Sequence, residues 1–219
     1  MRLEKIAAKT LRQEVYDQLK DKIISAEFLP GEAVTLRDLA EQFQVSHMPV
    51  REALWQLESE NIIVIERNKK ICVNELTAKQ MEEALRLRIM LESSAAERSC
   101  DRRPDSAVPE IKKILTGMYS AAGKRPRTYM RKNTEFHFTI YSYADSPLLL
   151  EIIESLWARV GPYVYLHAVN KRDLGYAMER HQEMFEAFAR GDKKRITEAL
   201  SRDLTAAAET IIPFLENDH

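Results

Sequence analysis

Arginine, histidine and serine stand together in Val45-Ser-His-Met-Pro-Val-Arg-Glu-Ala-Leu54, a set of side chains suited to reading DNA. Arg51 carries five N–H donors in a fixed fork that pairs with a guanine edge or grips a phosphate. Ser46 is a residue type that caps helix starts. Pro49 falls in the first turn, where its missing N–H breaks no intrahelical bond. Val50, Leu54 and Leu57 recur at helical spacing and face a core. His47, Met48 and Arg51 are left on the opposite, exposed face. Taken alone, the stretch reads almost as well as an ordinary amphipathic helix that carries one arginine.

A second group lies further along. Asn133 and His137 are four residues apart, so on a helix they project from one face. Phe136 between them fits a wall packed on its other side. His181 stands on a later predicted helix and Asp203 on the last. Arg88 stands one turn before Glu92. An exposed ion pair at that spacing contributes only about 0.3–0.5 kcal/mol. In the other reading Arg88 lines a pocket and grips an effector carboxylate through two parallel donors. Tyr163 and His167, just past Gly161-Pro162, are pocket walls or core.

These side chains need elements to hold them. The 219 residues are 45% hydrophobic with only six glycines, which describes a mostly helical protein of one large or two modest domains. A first helix runs from about Leu11 to Ser25 and ends in Phe28-Leu-Pro-Gly31. Thr35, with Asp38 three residues on, opens a second helix, Leu36 to Phe43. Gln44-Val45 turns the chain into a third, which reaches about Glu60. Ile62–Ile65 and Ile71–Val73 are short β-branched runs around a basic turn and read as a β-hairpin. Three helices and a two-stranded wing make a winged helix-turn-helix, placed at residues 1–75. Arg67, Lys69 and Lys70 in the turn suit a wing that lies on a phosphate backbone. Arg2, Lys5, Lys9 and Arg12 add a basic arm.

Residues 76–219 read as an all-α, six-helix antiparallel bundle without strands. Thr77, or the residue just before it, caps a helix that runs to about Ser99, and Val108 to Ala122 forms the next. After the basic loop Lys124–Arg127 comes Thr128 to Tyr143. Ser146-Pro147 starts a helix that kinks at Pro162 and ends near Val169. Asp173 to Arg190 follows, and the last helix reaches Ile211 before Pro213.

Composition narrows the function. The formal net charge is −1, and residues 1–76 hold slightly more acidic than basic side chains, so DNA contact rests on local basic clusters. Cys72 and Cys100 have neither metal spacing nor a disulfide framework, which places the chain in a reducing cytoplasm by default. No apolar run suits a signal peptide or a membrane span.

Gln13 to Val73 resembles the DNA-binding domain of GntR-type bacterial transcription regulators. The matching residues are Leu29-Pro-Gly31, Leu39-Ala-Glu41, Val45-Ser46, Pro49-Val-Arg-Glu-Ala-Leu54 and Leu57-Glu58. The resemblance implies DNA contacts from Arg37, Ser46, His47, Met48 and Arg51, with Arg67, Lys69 and Lys70 on the wing. The family usually has Arg-Thr where this chain has His47-Met48, and a glycine near Lys70. Both departures fall where bases are read or approached, which implies an unusual operator. The helical part resembles the FCD ligand-sensing domain of the FadR-like branch, in its McbR/VanR-like six-helix subgroup. Arg88-x-x-x-Glu92 and Leu156-Trp157-x-Arg159-x-Gly161-Pro162 carry that likeness.

The FCD resemblance further implies a metal held by an Asp and a His four apart, a second His and a third. Position by position these are Asn133, His137, His181 and Asp203. The chain departs twice, with Asn133 for the usual Asp and Asp203 for the usual third His. Two imidazoles, a carboxylate and an amide oxygen suit zinc, manganese or nickel. Without a metal, these side chains contact the effector or are hydrogen-bonded core residues. The implied protein is a ligand-responsive regulator, a repressor and homodimer on a palindromic duplex operator, modulated by a small organic acid. Two other functions remain open. His137, His181 and Asp203 are similar to the two-His-one-carboxylate set of metal-dependent oxygenases, although no second general acid or base accompanies them. A winged helix used only for protein contacts is the other, against which Arg37, Arg51 and the basic turn stand.

Overall fold

The computed structural model describes residues 10–67, 70–170 and 174–217. The Thr10 hydroxyl accepts the Gln13 N–H and starts α1 (Leu11–Ile24). Val15, Leu19 and Ile23 recur every fourth residue and are buried towards α3 (His47–Ser59). Helix α2 (Leu36–Phe43) opens with a complete capping box: the Thr35 hydroxyl accepts the Asp38 N–H, and the Asp38 carboxylate accepts that of Thr35. It closes at Gln44, whose left-handed backbone (φ 54°) turns the chain into α3. Ser46 occupies the N-cap position of α3, but its hydroxyl makes no capping bond.

The wing is larger than the expected hairpin. Strands β2 (Ile63–Ile65) and β3 (Lys70–Val73) pair antiparallel, with Ile63 opposite Val73. A third strand, β1 (Ala33–Thr35), pairs on the far side of β3, with Ala33 opposite Cys72, so the order is β1-β3-β2. Three residues running straight into a helix cap are too short to display a two-residue period.

Six helices follow, as expected: α4 (Ala78–Arg102), α5 (Ala107–Ala121), α6 (Pro126–Ser142), α7 (Pro147–Asn170), α8 (Gly175–Arg190) and α9 (Lys193–Asn217). Thr77 and Gln80 form the capping box of α4. The expected basic loop is shorter than its charges suggest, because Pro126 starts α6 and brings Arg127 into it. Helix α9 runs on through Pro213, past the expected stop at Ile211. Its extra turn buries Leu215 in the small cluster with Met81, Val160, Tyr163 and Ile211.

Helices α4 and α8 pack on α9, and α5 on α6. Helix α1 packs on α7, so one apolar core runs from the winged part into the bundle. At that junction a Cβ on Gly161 would stand 2.5 Å from the Ile24 carbonyl oxygen. Arg159 donates to the Glu60 carbonyl, and the Tyr163 hydroxyl accepts the Leu76 N–H at 2.7 Å. Among the described residues no helix is long and apolar enough to cross a membrane.

Candidate DNA-reading face and effector pocket

Helix α3 buries Val50, Ala53, Leu54 and Leu57 and turns His47, Met48, Arg51 and Trp55 to solvent. Arg51 makes no hydrogen bond or ion pair with any described residue, so its donors are uncommitted. Arg37 on α2 is exposed and pairs with Glu41 at 2.8 Å, a surface contact that water largely screens. Arg67 is exposed in the turn after β2, and Lys70 is exposed on β3. Lys69 lies outside the described residues, as do Arg2, Lys5 and Lys9 of the basic arm. Trp55 is a surface residue that sequence reading passed over. The available signal was its register, four residues after Arg51 on the polar side of the helix.

Five helices meet at the second site. Helix α4 brings Arg88, α6 Asn133 and His137, α7 Trp157 and His167, α8 Arg180 and His181, and α9 Asp203. The cavity between them is about 40 Å³. Arg88 is neither the exposed pair nor the free clamp that its spacing suggested. It is 4% exposed, its Nε donates to Glu92 at 2.6 Å, and its guanidinium lies 4.4 Å over the Trp157 ring. Tyr141 of α6 and Trp157 of α7 lie against the buried pair, which the i,i+4 spacing alone could not reveal. Arg180 pairs with Asp203 at 3.4 Å, so each arginine in the pocket already faces a carboxylate. Tyr163 does not line this cavity, because its hydroxyl serves the Leu76 N–H at the start of α4's linker. His167 does line it. The buried Trp157 Nε1–H has no acceptor among the described residues.

Hydrogen bonding around the two histidines places a hydrogen on each Nδ1. The His181 Nδ1 lies 2.6 Å from the Ala177 carbonyl, which only accepts, so Nδ1 carries the hydrogen. The Tyr141 hydroxyl donates its single hydrogen to Glu92 at 2.6 Å. The His137 Nδ1, 3.0 Å from that hydroxyl oxygen, is therefore the donor between them. A neutral imidazole held in this way has a bare Nε2, and the two Nε2 atoms face one another at 3.2 Å. The Asp203 carboxylate stands 3.8 and 3.9 Å from them. Burial holds the His137 pKa well below 6.5, helped by His181 and Arg88, so a second proton on that ring is disfavoured. Burial and then Glu92 push the Tyr141 hydroxyl well above its usual range and keep it protonated.

With both rings neutral, two lone pairs and a carboxylate converge, and the donor set fits a divalent cation. The outer partners follow the pattern seen around metal-ligating histidines, each Nδ1–H held by an oxygen. Asn133 is 5% exposed, makes no side-chain hydrogen bond with any described residue, and lines the same cavity.

Known proteins match this chain along most of its length. Residues 11–73 match the gntR family of bacterial regulatory proteins, and residues 83–206 match the FCD domain. The HTH-type transcriptional regulator McbR of Escherichia coli K12 is 30% identical over 189 residues, covering 84% of this chain and 85% of McbR. The HTH-type transcriptional repressor RspR of the same organism is 22% identical over 92% of this chain and 89% of its own. The solved structure of E. coli McbR/YncC superposes with a TM-score of 0.86 and 26% identity, covering 93% of this chain and 98% of that one. These relatives are regulators of transcription, not enzymes, which sets the oxygenase alternative aside. A winged helix with an uncommitted outward arginine, joined to a six-helix bundle around a buried polar pocket, makes this chain a member of the GntR family of bacterial transcription regulators, of the FadR-like branch with a C-terminal FCD domain, and similar to McbR.

Proposed function

We propose that this regulator is a homodimeric repressor that acts in the cytoplasm on a palindromic duplex operator and answers to a small organic acid. Residues 1–75 form the DNA-reading domain, and residues 76–219 the sensing and dimerisation domain. Arg37, Ser46, His47, Met48 and Arg51 serve the groove, and Arg67, Lys69 and Lys70 the phosphate backbone. Exposed Leu87 and Met90 on α4 and Leu148 and Ile152 on α7 favour self-association through adjoining helices. The word repressor rests on RspR, whose name carries it.

His137, His181 and Asp203, with the Asn133 amide oxygen, hold zinc, manganese or nickel. The observation that carries this is the 3.2 Å approach of the two imidazole Nε2 atoms beside the Asp203 carboxylate, with each Nδ1 hydrogen-bonded to an oxygen. When bound, a divalent metal supplies the positive charge that an organic anion needs in a pocket whose arginines already have partners. A cavity of about 40 Å³ holds little more than one water molecule, whose share of liquid volume is roughly 30 Å³. An effector of metabolite size must displace Trp157, His167 or Leu174, and so shift α7 or α8. That shift is the differential contact needed to favour one arrangement of the winged domains over another.

Elemental analysis of the purified protein, followed by calorimetric titration of small carboxylic acids into the metal-loaded and chelator-treated forms, tests this reading. Stoichiometric metal and an acid that binds only the loaded form are expected. A metal-free protein that binds the acid equally well overturns the metal's part.

A further inference from the structure

Two large apolar side chains stand exposed on the side of α3 that carries Arg51. Met48 is 57% exposed and Trp55 56%. They are seven residues apart, two helical turns, and so lie on one stripe with Arg51 between them. Seven residues of helix advance about 10 Å, close to three base-pair steps at 3.4 Å each. Val50, Ala53, Leu54 and Leu57 fill the opposite face, so neither side chain is needed for the core.

Met48 has no donor and only a weak acceptor in its thioether, so it cannot read the polar edges of bases. The one apolar feature of the major groove is the C5-methyl group of thymine. We propose that Met48 and Trp55 read thymine methyl groups on either side of the base pair whose guanine Arg51 reads. The half-site is then a guanine flanked within one or two steps by thymines, on either strand. Basic residues Arg67 and Lys70 on the adjoining wing favour a duplex, rather than a protein, as the occupant of this face. The inference rests on the operator-binding reading above.

The test uses the full-length protein. Duplexes are selected from a randomised library, and the guanine that needs Arg51 is located with Arg51→Ala. Each neighbouring thymine is then replaced singly by deoxyuridine, which keeps the pairing and removes only the methyl. Affinity should fall about fourfold at one position on each side, the worth of one buried methyl. Met48→Ala should lose the uracil penalty on one side and Trp55→Ala on the other, with unchanged thermal midpoints. Selected sites without nearby thymine, uracil tolerated at each position, or a penalty that survives both variants overturn the inference while leaving operator binding intact. Failure to select any duplex overturns the operator-binding reading instead.

Discussion

The Arg159 guanidinium, on the helix that walls the pocket, donates to the backbone carbonyl of Glu60, the residue that closes the recognition helix. The Glu60 carboxylate in turn accepts the Tyr16 hydroxyl at 2.7 Å and faces the Lys20 ammonium at 3.5 Å, both on α1. Two residues on from Arg159, Gly161 lies directly against the Ile24 carbonyl. Trp157, Val164 and His167 of the same helix line the pocket. A displacement of α7 therefore reaches α1 and the end of α3 with no element in between.

Gly161→Ala tests that contact. Its Cβ would meet a backbone oxygen at 2.5 Å, and no rotamer relieves a backbone clash. Helices α1 and α7 have to separate, and overpacking of this kind costs typically 1–3 kcal/mol. Urea unfolding should register the loss, and small-angle scattering should show a larger radius of gyration. An unchanged midpoint and radius would mean that the junction yields freely and cannot transmit movement.

Metal content is the next expectation. Protein exposed to zinc and then dialysed should retain it, and His181→Ala should not, because one of three converging donors is gone. Asn133→Asp should tighten retention by adding a second carboxylate to the set. Wild-type metal levels in His181→Ala would make that histidine structural.

At the DNA face, Arg51→Ala should cost about 1–3 kcal/mol of specific affinity, the worth of one bidentate base contact. Lys70→Ala should weaken all duplexes alike and lower the salt slope by about one. Competition binding at several salt concentrations separates the two. Discrimination left intact by Arg51→Ala would remove that residue from base reading.

Glu154 gives a pH dependence. It sits on α7, half-buried, and burial raises its pKa above 4.5, with Asp21 and Asp17 of α1 and Glu151 adding to the rise and Lys20 opposing it. A raised folded pKa means that stability is fully present below about 4.5, the unfolded value, and is lost as pH rises through the folded one. Glu154→Gln removes that loss. It should raise the thermal midpoint at pH 7 and give no advantage at pH 4. An equal gain at both pH values would show that ionisation is not the cause.

How much of this was readable in the sequence depended on whether the signal was local. Thr35 with Asp38 marked a helix start correctly, because a capping box is built within four residues. Val50, Leu54 and Leu57 identified the buried side of α3, and hence its outward arginine, through helical period alone. Strand β1 does not show in the sequence because its identity as a strand lies in the hydrogen bonds of β3, 35 to 39 residues away. The burial of Arg88 was hidden for a related reason. The i,i+4 spacing to Glu92 was visible, but the burial that changes its energetics comes from α6 and α7. Tyr163 followed the pocket in sequence yet faces the linker, since residues four apart from Arg159 and His167 share their helix but not their surroundings.

The buried Arg88–Glu92 pair carries a last expectation that reaches the proposed metal site without touching one of its donor side chains. Removing one partner leaves a buried charge alone and should cost about 3–5 kcal/mol, whereas replacing both by apolar side chains is often close to neutral. Arg88→Met/Glu92→Leu should therefore be more stable than either single variant in urea unfolding. In the double variant the Tyr141 hydroxyl has lost its acceptor, and the nearest remaining one is the His137 Nδ1 at 3.0 Å. Once Tyr141 donates there, the His137 proton moves to Nε2 and points at the His181 Nε2, 3.2 Å away. The facing lone pairs become an ordinary hydrogen bond, and a cation has to break it. Metal affinity should fall 10- to 100-fold, the usual effect of losing an outer partner of a ligating histidine. A double variant that folds and binds metal as tightly as the parent would show that Glu92 does not set the tautomer of His137.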